Sequence, residues 1–168
     1  MRKTGVCLTL GCSLLALASG ARAQGNRKPG LYEVTSTMTF QQSPFPAGMQ
    51  APGGSPFGGG PRTSQVCVTQ AMIDKYGGPP PQTRGDCQMA NIAMTPTGMT
   101  ATMACTGQMS GSATVNAVWS DSGTSQTKVH FTGNMQMGPR STPVEWTMQA
   151  NSSFKGADCG SVKPPPTQ

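Results

Sequence analysis

The chain has 168 residues, with 12 Lys and Arg against 6 Asp and Glu, a single histidine, six cysteines and twelve methionines. Its basic residues are scattered, with neither a Lys/Arg cluster nor a basic stripe interleaved with aromatics, which argues against phosphate tracking and a nucleic-acid partner. One histidine and six carboxylates make a thin inventory for acid-base catalysis, and the length suits one domain.

The chain opens with Arg2 and Lys3 ahead of an apolar run from Val6 to Ala18, followed by Ala21-Arg22-Ala23. This is the pattern of a secretory signal peptide over residues 1–23, cleaved after Ala23. The run is short for a bilayer span, and nothing later is apolar enough to serve as one. Cys12 fits a lipobox poorly, because Thr9 and Leu10 precede it and the apolar run continues past it. Removing the signal takes the basic count from 12 to 9 and leaves a net charge of about +3 on residues 24–168, of which residues 24–160 read as a single β domain. A periplasmic or secreted location follows. Four cysteines then remain, Cys67, Cys87, Cys105 and Cys159, and an even number in an exported chain points to two disulfides. Three pairings are possible.

After a polar leader, Pro29-Gly30 introduces a strand with Tyr32, Val34, Met38 and Phe40 on one face and Glu33, Thr35, Thr37 and Thr39 on the other. Residues 41–63 are rich in Pro, Gly, Gln and Ser without a period, which reads as a flexible loop carrying Phe45, Met49 and Phe57. The β pattern resumes from Thr63 to Thr69, with Val66 and Val68. Thr69 can then N-cap a short helix, QAMIDKY, whose Met72, Ile73 and Tyr76 line one side before Gly77 stops it.

The stretch from Asp86 to Gly107 reads as a β-hairpin turning at Thr95-Pro96-Thr97-Gly98. A loop centred on Pro96 sets Cys87 opposite Cys105, Met89 opposite Met103, Asn91 opposite Ala101 and Ala93 opposite Met99, all on one face. This register favours the disulfide Cys87 with Cys105, leaving Cys67 with Cys159. Beyond it the alternation continues. Ala113, Val115, Ala117 and Trp119 share a face, Asp121-Ser122-Gly123 turns, Val129, Phe131, Met135 and Met137 share a face, and Val144, Trp146, Met148 and Ala150 follow after Gly138-Pro139. The tail, residues 161–168, reads as unstructured. The sum is an all-β fold with one short helix: an antiparallel meander of about seven strands, forming a bent sheet or partly open barrel, with a sandwich also able to cover the apolar face.

The opening KPGLYEVTSTM, the CVT at Cys67 to Thr69, the pair Cys87 and Cys105, and the close GADCGSVKP around Cys159 together resemble the exported bacterial family called domain of unknown function 3617. The resemblance covers nearly the whole chain after the leader. It implies an exported, disulfide-containing all-β domain and supplies neither an activity nor functional residues.

Three chemistries compete. His130 and Glu145 fall on polar faces of neighbouring strands and could meet, but no G-x-S-x-G elbow or similar nucleophile context accompanies them, so a hydrolase ranks third and catalytic residues are not expected. Met99, Met103, Met135 and Met137, with His130 as a nitrogen donor, could hold Cu(I); core filling explains the methionines without an ion, which makes this the alternative. The leading expectation is a non-enzymatic binding or envelope-associated module with no cofactor. Its curved sheet would hold an apolar ligand or an envelope protein, with Trp119, Phe131, Trp146 and Met148 on the contact face.

Overall fold

A computed structural model describes residues 27–45, 60–79 and 86–165. The signal segment, residues 46–59 of the Gly/Pro-rich loop and residues 166–168 of the tail lie outside the described residues. Seven strands and one helix follow in order: β1 (Gly30–Gln42), β2 (Arg62–Val68), α1 (Gln70–Tyr76), β3 (Cys87–Thr95), β4 (Gly98–Cys105), β5 (Met109–Trp119), β6 (Thr124–Met137) and β7 (Arg140–Gly156). They form one open antiparallel sheet in the order β2-β1-β7-β6-β5-β4-β3. The architecture is therefore a single sheet rather than a sandwich.

From β3 to β7 the sheet is the expected meander. The first strand departs from it, because β1 pairs with the last strand, β7, on one side and with β2 on the other. The reason lies in matching faces. Met38 stands opposite Met148, and Phe40 opposite Trp146, so pairing these strands extends one apolar surface across the join.

Alternation puts that surface on one side of every strand. Cys87, Met99, Ala101, Met103, Ala113, Val115, Val129, Phe131, Met135, Val144 and Trp146 form one buried cluster, and Tyr76 of α1 joins it. For β3-to-β7 residues to share a cluster the sheet must curl over its own inner face, as an open sheet with one greasy side does when it covers itself. A smaller cluster of Tyr32, Val68, Met72 and Ile73 sits under α1.

The helix forms as its caps dictate. Thr69 holds an extended conformation, and its hydroxyl accepts from the Met72 amide. Gly77 closes the other end at φ 68°, in the left-handed region that favours glycine, and donates its amide to the Ile73 carbonyl. A Cβ at Gly77 would overlap the Trp119 ring, so the end of α1 sits directly on the inner face of the sheet.

Both disulfides join the favoured partners, Cys87 with Cys105 and Cys67 with Cys159. The first bridges facing positions of β3 and β4, and the second ties the end of β2 to the segment after β7. Near the bond the hairpin register is as expected, with Met89 opposite Met103. Near the turn it is corrected by one residue: Ala93 faces Thr100 and Met94 faces Met99, because a bulge falls between Ala90 and Ala93. Asn91 takes φ 52° there, a conformation asparagine tolerates better than most residues. The bulge changes the parity of the strand, so half-buried Ile92 packs against the core while Asn91 and Ala93 are exposed.

Candidate functional site

Three of the four expected contact residues are interior. Phe131 is 0%, Trp146 4% and Trp119 9% exposed, while Met148 is half-buried against the same cluster. The Phe131 and Trp146 rings stack at 5.2 Å with 12° between planes. Trp119 is fixed by its indole N–H, which donates to the Pro96 carbonyl at 2.8 Å. Trp146 has no such anchor, since its buried Nε1 lacks a hydrogen-bond partner.

Methionine dominates what lies around these rings. Eight of the twelve methionines face one another in four cross-strand pairs: Met38 with Met148, Met89 with Met103, Met94 with Met99, and Met109 with Met135. Met99, Met103 and Met135 are buried, whereas Met38, Met89, Met109 and Met148 are only partly so and Met94 is 40% exposed. The inner face thus carries long, unbranched, polarisable side chains that repack at little cost.

The expected copper set is not brought together. His130 and the methionines Met135 and Met137 have opposite parity on β6, so the imidazole projects from the other face of the sheet. Met137 lies at the end of β6, facing Arg140, and is 39% exposed. Among the described residues no group of three His, Cys, Asp or Glu is placed to hold a metal.

His130 and Glu145 do meet: Nε2 and Oε1 are 2.9 Å apart, with the side chains 43% and 36% exposed. The pair stands on the outer face, among Thr114, Asn116, Lys128 and Thr147, at an open depression of about 370 Å³. Among the described residues no serine or threonine hydroxyl hydrogen-bonds the imidazole. A wider depression of about 530 Å³ is bordered by Thr35, Val118, Gln126 and Asn151 of that face and also by the buried residues Trp119, Ser125 and Ser152.

One residue escaped sequence reasoning altogether. Arg27 sits just before β1 in what reads as a polar leader, yet it is 9% exposed. Its guanidinium carbon lies 5.0 Å from the Trp119 ring centre and 5.9 Å from that of Tyr32, so it joins the two core clusters. Gly78 packs against it, in a place that any Cβ would take from the guanidinium. The Tyr32 hydroxyl donates to the Lys28 carbonyl at 2.8 Å, and its oxygen stays an acceptor beside the guanidinium. Arg27 Nε and Nη2 are buried without a hydrogen-bond partner. Burial pulls the Arg27 pKa below its usual value, with Tyr32 acting in the opposite sense. Periodicity could not have flagged it, because Trp119, Tyr32 and Gly78 are far apart in the chain.

The fold and these features define a disulfide-stapled, mostly antiparallel β domain with one apolar, methionine-lined face. The chain belongs to the family described as Protein of unknown function (DUF3617), which matches residues 27–159. No curated protein and no solved structure matches the chain.

Proposed function

We propose that this protein is an exported, non-catalytic binding module that takes an apolar ligand against the inner face of its sheet. The observation that carries this reading is the set of four cross-strand methionine pairs, each with at least one member only partly buried, in the region of the core cluster that holds Trp119, Phe131 and Trp146. Methionine-rich surfaces adapt to ligands of differing shape, and a curved sheet with such a lining receives a guest by repacking side chains rather than by moving strands.

An oxidising compartment fits the two disulfides, which reducing cytosol would not maintain. Among the described residues no helix is long and apolar enough to cross a membrane. The reading is tested with Nile red, a neutral apolar dye, titrated against the oxidised protein. A saturable, one-to-one gain in emission is expected, and the absence of any gain would sink it.

A further inference from the structure

We infer that Arg27 is the headgroup receptor of this module, and that the ligand is a long-chain carboxylate whose apolar chain lies along the inner face. This rests on the apolar-ligand reading above and names the class of ligand.

The argument starts from the two nitrogens left without partners. In a guanidinium, Nε–H and the nearer N–H of Nη2 point the same way along one edge, and that edge matches the two oxygens of a carboxylate in a bidentate fork. Nε and Nη2 of Arg27 both lack a hydrogen-bond partner, while the guanidinium is flanked by the Trp119 and Tyr32 rings and by Gly78, which packs closest to Nη2. A charge this deeply buried without a counter-charge is costly. The Tyr32 oxygen, which donates its proton to the Lys28 carbonyl, keeps lone pairs that can face the guanidinium but brings no formal negative charge, and neither Trp119 nor Gly78 brings a carboxylate. An anionic ligand satisfies both nitrogens at once.

The surroundings specify what the anion is attached to. Trp119 ends β5, and from it the inner face runs through Ala117, Val115 and Ala113 to Gly111, a floor of small residues roughly 26 Å long at the rise of an extended strand. Methionine pairs from β3–β4 and β1–β7 lie on either side of β5 and β6. A headgroup at Arg27 therefore stands at one end of an apolar strip that core side chains cover in the ligand-free protein, so a chain entering along it displaces methionines rather than filling open space.

The test uses displacement of Nile red from the oxidised full-length mature chain by dodecanoate, by dodecan-1-ol and by acetate. Dodecanoate is expected to displace the dye at a concentration about tenfold or more below that of the alcohol, the gain typical of a charge-assisted fork, and acetate is expected not to displace it. R27Q should bring dodecanoate and the alcohol level, read as the ratio of their displacing concentrations within the variant. Where that variant does not fold, the ¹⁵Nε resonance of Arg27 in the unaltered protein provides the readout and should shift with dodecanoate but not with the alcohol.

Equal displacement by acid and alcohol overturns the headgroup assignment and leaves the apolar-ligand reading standing. Acetate moving the Arg27 resonance as strongly as dodecanoate at equal concentration overturns it too, since the anion site would then be independent of the apolar face. Failure of Nile red to bind removes both.

Discussion

Phe131 and Trp146 face each other across β6 and β7 and lie nearly parallel, with ring centres 5.2 Å apart. What makes room for this stack is a second cross-strand pair, Gly111 opposite Gly133, one step further along. A Cβ at Gly133 would come within 2.8 Å of the Phe131 ring tip and would also overlap the Ser110 carbonyl. The ring therefore occupies volume that two side chains would otherwise fill. Phe131→Ala empties that volume and should destabilise the protein by about 3–5 kcal/mol, the range for deleting a fully buried aromatic; urea unfolding followed by tryptophan fluorescence checks it.

The two disulfides should differ in worth. The Cys87–Cys105 bond spans 18 residues and the Cys67–Cys159 bond 92. In the chain-entropy picture their removal costs about 3 and between about 4 and 5 kcal/mol respectively. Pairwise Cys→Ser variants, unfolded in urea, should rank in that order.

Arg27→Met should stabilise the ligand-free protein by about 1 kcal/mol. The substitution removes a buried, unpaired charge while retaining an unbranched chain against Trp119. Burial lowers the Arg27 pKa, so the charged form is penalised in the fold, and that cost is present at every pH below the lowered value. Arginine remains charged across the working range, so the gain should be flat from about pH 5 to pH 9. Thermal unfolding at several pH values measures it.

His130→Ala should change stability by less than about 1 kcal/mol and leave Nile red binding unaltered. The hydrogen bond with Glu145 is largely exposed and stands on the face opposite the methionines. Paired urea and dye titrations check both parts.

Cu(I) titration followed by native mass spectrometry should give no stoichiometric adduct. The methionine pairs supply two sulfurs each, and the imidazole that would complete a soft site points away from them.

Much of this fold can be read from the sequence because a strand with one buried face writes its alternation into the chain. Ala113, Val115, Ala117 and Trp119 are all buried, as their spacing requires, and the helix starts and stops where Thr69 and Gly77 say it must. Alternation does not say which strand lies beside which, so the place of β1 against β7 was hidden. Nor does it foresee a bulge. Asn91 carries a faint hint in its tolerance of positive φ, but its neighbours fit a regular strand equally well. Alternation along β6 already set His130 on the face opposite Met135 and Met137, and the structure keeps it there. Arg27 was illegible because its surroundings come from three distant segments.

The placement of β7 between β1 and β6 has a bearing on how the chain matures. Until Gly156 has emerged from whatever delivers the polypeptide, β1 and β2 have only each other to pair with, and an isolated two-stranded ribbon is marginal in water. The last strand made is thus the one that joins the two halves, and Cys159, three residues beyond it, then finds Cys67 at 5.5 Å between Cα atoms. Oxidation of that pair reports completed assembly, so a truncation that stops short of β7 should leave the Cys67 thiol with no correct partner and mark the chain for disposal.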